Sequence, residues 1–300
     1  MIPIYITVFV GVLGLAFGSF LNVCATRWPE EERVVKGRSH CRSCGRTLAW
    51  WENLPLLSWL ALRGHCRTCK AWIGWRYPLV ELAVGALWAF SAWHTFLESP
   101  ELSTGNFTYD AVISLTNGIA RIIFLWILVA LAVMDAENLW LPDRLTFSGI
   151  AVGFALAFAR GGVLASMNFS GGFDAWKQCV ALSLFYWFIG AIASAVGILV
   201  IRWVYIMIRG QEGIGMGDVK LVAMIGGWLG VHSAGLAFAI AVLLGALFAL
   251  VILVLPSARA KKQSWRMTKL PFGMFLCIGA TVSAFWGQSI LGTYLTWAGF

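Results

Sequence analysis

Charge is scarce in this chain. Asp, Glu, Lys and Arg make up 12% of its 300 residues, roughly half the fraction of a soluble domain. Together with 60% hydrophobic residues, that scarcity excludes an ordinary soluble fold and leaves an all-α polytopic membrane protein. No heptad, solenoid or low-complexity repeat is present, which sets coiled coils and repeat arrays aside. The opening segment, Met1 to Val23, has no basic n-region and no small-residue cleavage site, and the first cation, Arg27, lies beyond the apolar run. A retained first helix with its N-terminus outside is therefore expected, not a removable signal.

Apolar stretches of the ~20 residues needed to cross a bilayer run over 4–24, 78–97, 114–134, 144–160, 179–207, 219–232, 234–256 and 271–297. They predict about eight transmembrane helices. The sixth is short, and Gly226, Gly227 and Gly230 mark it for close packing against neighbours. The expected domains are a first transmembrane helix (1–27), a cytoplasmic four-cysteine insert (28–77), a second helix with an outer loop (78–113) and a six-helix domain (114–300).

A formal net charge of +8 raises nucleic acid as a partner, but the positions of the cations answer that. Arg27, Arg33, Lys36, Arg38, Arg42, Arg46, Arg63, Arg67, Lys70 and Arg76 lie between the first two apolar runs. Arg259, Lys261, Lys262, Arg266 and Lys269 lie between the last two. This is the positive-inside bias and places both loops in the cytoplasm, with membrane lipid and not nucleic acid as the partner. The expected outer loops, with Glu98, Glu101, Asp110 and Asp174, are acidic by contrast.

The first basic loop carries Cys41-Arg42-Ser43-Cys44 and Cys66-Arg67-Thr68-Cys69, each preceded by a histidine, His40 and His65. Paired C-x2-C knuckles suit a tetrahedral zinc site of four thiolates, and flanking cations favour the thiolate form. Two disulfides or four unligated thiols are the other readings, the first disfavoured in a reducing cytoplasm; the two histidines are alternative ligands. Four cysteines leave no open position, so such a zinc ion holds the insert together and does no chemistry. Cys24, Cys179 and Cys277 are read as packing residues.

Of only 14 acidic residues, Asp135, Glu137, Asp143, Glu212 and Asp218 crowd two short cytoplasmic connections. Asp135 follows the run Phe124 to Met134 without a break, at the C-terminal end of its helix, where desolvation and the helix dipole both disfavour charge. Asp218 follows Gly213-Ile214-Gly215-Met216-Gly217 and opens a helix, where the dipole favours charge. Two carboxylates biased oppositely can share one proton and act as an aspartic dyad, with Asp218 expected to start as base and Asp135 as acid. Capping is the plainer reading for Asp218, and more so for Asp143 after Pro142. Glu137 and Glu212 are either solvated charges or receivers of a basic substrate segment.

These residues together resemble the type IV prepilin peptidases of bacterial inner membranes, which are bifunctional leader peptidases and N-methyltransferases. The resemblance runs from Gly18-Ser19-Phe20-Leu21-Asn22, through the knuckles flanking Trp51-Glu52-Asn53-Leu54-Pro55, to Arg76-Tyr77-Pro78-Leu79-Val80-Glu81. It continues through Met134-Asp135, Leu141-Pro142-Asp143, Gly215-Met216-Gly217-Asp218 and Pro271-Phe272-Gly273. It implies that Asp135 and Asp218 are the catalytic pair and that 114–300 is the peptidase domain. It further implies that basic leaders are cut from prepilins or pseudopilins for pilus or type II secretion assembly, and that the new N-terminus is methylated with S-adenosylmethionine. No glycine-rich dinucleotide-type loop marks a site for that cofactor; the stretch containing Gly74, Arg76 and Glu81 is the candidate region. A presenilin-like protease is the alternative enzyme, disfavoured by the cysteine insert and the missing Pro-Ala-Leu-Pro motif. An ion-coupled transporter is the non-enzymatic one, disfavoured because the acids gather at one face and no inverted repeat is visible.

Overall fold

The computed structural model describes residues 2–30, 34, 38–104, 108–167, 172–211, 213–254 and 270–299. Glu212, Arg33, Lys36 and the five cations of the last basic loop lie outside the described residues. The helices in chain order are α1 (Ile2–Arg27), α2 (Leu57–Ala61), α3 (Arg76–Glu98), α4 (Tyr109–Asn138), α5 (Asp143–Met167), α6 (Gly172–Arg209), α7 (Met216–Leu229), α8 (Val231–Val254) and α9 (Phe272–Ala298).

Apart from the short α2, these are the eight apolar helices that hydropathy predicts. Seven of the helices among the described residues are long and apolar enough to cross a membrane. The exception is α7, whose 14 residues span about 21 Å at 1.5 Å per residue, short of a hydrocarbon core about 30 Å thick. Packing divides the chain into two compact units, 1–130 and 131–300, with the boundary inside α4.

In the first unit, α1 and α3 form an antiparallel hairpin with a glycine seam. A Cβ on Gly11 would lie 3.1 Å from the Ala89 Cβ, one on Gly14 2.9 Å from the Gly85 Cα, and one on Gly18 2.7 Å from the Glu81 Cα. Partners thus retreat along α3 as residues advance along α1, and only hydrogen at these positions lets the backbones approach so closely. Asn22 closes the seam, its Nδ2 donating to the Tyr77 carbonyl at 3.0 Å. At the other end of α3, Arg121 of α4 donates to both Glu98 oxygens, at 2.8 and 3.1 Å.

The insert leaves from the paired ends of this hairpin, and its two knuckles repeat one geometry. The Cys41 amide donates to the Arg46 carbonyl at 2.9 Å and the Gly45 amide to the Cys41 carbonyl at 2.8 Å. The second knuckle does the same with Cys66 to Ala71 at 2.9 Å and Lys70 to Cys66 at 3.1 Å. Gly45 and Lys70 occupy the same left-handed position, at φ 70° and 57°.

In the second unit, α7 packs among α5, α6, α8 and α9. Gly226 lies against the Gly190 backbone and Ser194 of α6, a Cβ on Gly227 would lie 3.0 Å from the Trp187 indole, and Trp228 Nε1 donates to the Gly149 carbonyl of α5 at 2.9 Å. The expected close-packing role of the short helix is borne out. Gly230, at φ 83°, ends α7 and lets α8 start anew. Asp143 opens α5, as a cap would, but its side chain accepts from Lys220 Nζ at 2.6 Å and no backbone donor reaches it among the described residues. The pairing ties α5 to α7, a role the local Pro142-Asp143 signal does not contain.

Candidate active site and metal centre

Asp135 sits three residues before the end of α4 and is 6% exposed. The helix stops just beyond it, where Leu139 adopts φ 50° and its amide still donates to the Asp135 carbonyl at 2.9 Å. The Asp135 side chain meets the N-terminus of α9: Met274 N–H donates to Oδ2 at 2.8 Å. A Cβ on Gly273 would lie 3.0 Å from that same oxygen, so glycine is what lets the α9 backbone reach the carboxylate. The Gly273 amide is a second backbone donor to the same carboxyl.

Asp218 lies in the first turn of α7, half-buried. Its Oδ2 accepts from the Gly215 amide at 3.3 Å, one half of a capping box whose N-cap glycine has no side chain to supply the other half. Burial, and after it the charge of Asp135, push the Asp218 carboxyl up to about 6. Leu141 packs beside the pair: its side chain would lie 3.3 Å from a Cβ on Gly217 and 3.1 Å from one on Gly273. Cys277, one turn along α9 from Gly273, is within electrostatic reach of both aspartates. Glu137 is exposed, one residue beyond the buried face. The sequence places both aspartates correctly at helix ends; the Gly273-Met274 backbone that holds one of them was visible only as part of a motif.

The four Sγ atoms of Cys41, Cys44, Cys66 and Cys69 lie within 4.8 Å of one another, and the Cys41–Cys69 pair is 3.8 Å apart. Tetrahedral thiolates at a Zn–S distance of about 2.3 Å have edges of about 3.8 Å. The donor set therefore fits zinc. The Cys69 and Thr68 amides pull the Cys66 thiol down to about 6, while burial and the neighbouring cysteines push Cys69 up to about 11, so without a metal the cluster shares its protons unequally. Neither His40 nor His65 joins the cluster; their Nδ1 atoms face the Arg38 and Arg63 carbonyls.

Sequence reasoning missed the group that organises this centre. Glu52, 6% exposed, takes Arg46 in a two-pronged pair at 2.7 and 3.1 Å and the Ala49 amide at 2.7 Å. Arg46, then the Ala49 amide, hold its carboxyl below the usual range. Arg46 also reaches the Cys66 sulfur, linking the carboxylate to a metal ligand. The one signal was an acid standing alone between two cationic knuckles.

The residues of the candidate methyl-donor region lie at the start of α3 and just before it. A Cβ on Gly74 would meet nothing within 4 Å. Glu81 is buried and already bonded, accepting from the Leu56 amide at 2.8 Å and from Ser19. Arg76 lies over the Tyr77 ring, 5.6 Å from its centroid. Glu81 holds the Leu56 turn, at φ 58°, onto α3.

Comparison with known proteins then decides the family. The Bacterial Peptidase A24 N-terminal domain matches residues 12–95, and the Type IV leader peptidase family matches residues 122–250. A prepilin leader peptidase/N-methyltransferase of Pseudomonas aeruginosa is 33% identical over 96% of this chain and 93% of its own length. The chain belongs to the type IV leader peptidase family. A Stutzerimonas stutzeri relative of the same name is 32% identical, also over 96% of this chain and 93% of its own length. One from Myxococcus xanthus is 36% identical over 74% of this chain and 56% of that longer protein. No solved structure matches. Membership in the leader peptidase family, with seven spanning helices, makes this a multi-pass inner-membrane protein.

Proposed function

We propose that this chain is a bifunctional prepilin leader peptidase and N-methyltransferase in which Asp135 and Asp218 cut the leader at the cytoplasmic membrane face. The observation that carries the peptidase reading is a pair of carboxylates gathered at two helix ends, Asp135 held by the Met274 and Gly273 amides and Asp218 by the Gly215 amide, with the charge of one acting on the other. Asp218 is the member that keeps its proton. The helix dipole that sequence reasoning invoked to ionise it contributes about 0.3–1 kcal/mol, under one pKa unit, and the rise from 3.8 to about 6 outweighs it. In this reading Asp218 starts as acid and Asp135 as base, the opposite of the order expected from helix-end position.

Asp135 Oδ1 then accepts a proton from water as the water oxygen attacks the scissile carbonyl carbon. Asp218 gives its proton to the carbonyl oxygen. As the tetrahedral intermediate collapses, Asp135 returns its proton to the departing amine and Asp218 recovers its own from the geminal hydroxyl. Exposed Glu137, with Glu212, offers negative charge to the cations of a leader. The substrates are prepilins or pseudopilins, whose apolar helices approach laterally through lipid.

Cys41, Cys44, Cys66 and Cys69 would hold a zinc ion, which supplies a folding cross-link and no open coordination position. S-adenosylmethionine is the methyl donor, and the stretch containing Gly74, Arg76 and Glu81 is the candidate region for it. The test is to incubate the purified full chain with a synthetic leader-helix peptide and S-adenosylmethionine and read product masses. Loss of the leader mass followed by a gain of one methyl is expected; an intact peptide would overturn the peptidase reading.

A further inference from the structure

The insert carries large apolar side chains, a tryptophan cluster and two leucines of α2, that its own fold does not cover. Leu57 and Leu60 of α2 are 64% and 63% exposed, and Trp72 and Trp75 are 52% and 60% exposed. The cluster is built, not frayed. The Trp59 ring lies 4.5 Å from that of Trp75 and 5.8 Å from that of Trp72, and Trp59 Nε1 donates to the Ile73 carbonyl at 3.0 Å. The Gly64 backbone fits beneath, where a Cβ would fall 2.7 Å from the Trp72 ring. Large aromatic and aliphatic side chains held rigidly outward mark a contact surface.

Three features identify what covers it. Trp75 immediately precedes α3, whose Leu79 and Leu82, at 59% and 52% exposure, belong to the surface a spanning helix turns to lipid. The cluster is thus continuous in sequence with a lipid-facing helix at its membrane entry, the level at which tryptophan concentrates. Both ends of the insert are tied to that level, because the end of α1 and the start of α3 are joined by the Asn22–Tyr77 bond. Exposed Arg63 and Lys70 stand in the turns next to Gly64 and Trp72, and cations at this level are attracted to an anionic leaflet.

We infer that the exposed Leu57, Leu60, Trp72 and Trp75 side chains enter the headgroup and upper acyl layer of the leaflet where α1 ends and α3 begins, with Arg63 and Lys70 on anionic headgroups. The metal-binding knuckles are then held against the bilayer and do not swing free on their two connections.

The test uses the full zinc-loaded chain in nanodiscs of phosphatidylglycerol, with a photoreactive benzoylphenylalanine placed at Leu60 or Trp75, and at exposed Thr68 as control. Phospholipid adducts at Leu60 and Trp75 and none at Thr68 are expected by mass spectrometry. Adducts to a second copy, or to an added leader-helix peptide, in place of lipid would overturn the inference. The unmodified chain gives a second readout: amide exchange across 57–63 slows when phosphatidylglycerol replaces phosphatidylcholine. Equal exchange in the two lipids would overturn it as well.

Discussion

The two units of this molecule bury carboxylates in opposite ways. In the first, Glu52 is saturated: two guanidinium bonds and an amide leave it nothing further to do chemically. Glu81 is similarly engaged by the Leu56 amide and Ser19. In the second, Asp135 takes the Met274 and Gly273 amides and Asp218 the Gly215 amide at 3.3 Å, with no cation paired to either among the described residues, and the two stand within reach of each other's charge. A buried acid with its partners complete fixes a fold; a buried acid left half-satisfied beside another acid can move a proton.

That contrast breaks most visibly on replacing the aspartates. Asp135→Asn or Asp218→Asn removes one member of a proton-sharing pair, and leader cleavage should fall by on the order of 10³-fold while the chain stays folded, as thermal unfolding in detergent would verify. A change of only a few-fold in either variant would show that the half-satisfied acids are structural after all. Glu52→Gln should do the reverse. Without the ionic pair to Arg46, zinc affinity measured by chelator competition should weaken about 10- to 100-fold, with leader cleavage retained.

Gly18→Ala tests the glycine seam. Its methyl group would lie 2.7 Å from the Glu81 Cα, and overpacking of this kind destabilises by about 1–3 kcal/mol, readable as a lower unfolding midpoint. The smallest effect sharpens the contrast within one element. Gly273→Ala places a methyl group 3.0 Å from Asp135 Oδ2 and should slow cleavage about tenfold by displacing the carboxylate, with the unfolding midpoint unchanged.

Much of this was legible in the residues themselves. An uninterrupted apolar run ending in Asp135 says where that acid must lie, because lipid admits little else. Gly226, Gly227 and Gly230 announce a helix that packs closely, and the paired knuckles announce their cluster. What could not be read depends on chain segments far apart: the Met274 amide reaches Asp135 across 139 positions, and Lys220 reaches Asp143 across 77. Helix-end position, a local property, and desolvation, set by everything packed around Asp218, point to opposite proton orders on the dyad.

The central claim, that the half-satisfied pair carries one shared proton with Asp218 as its holder, is tested most directly by infrared spectroscopy of the reconstituted enzyme across a pH series. The account predicts a protonated-carboxyl band that disappears as pH rises through about 6, that is missing from Asp218→Asn, and whose loss coincides with loss of leader cleavage. A band that persists unchanged in Asp218→Asn, or cleavage that stays constant while the band titrates, would contradict it.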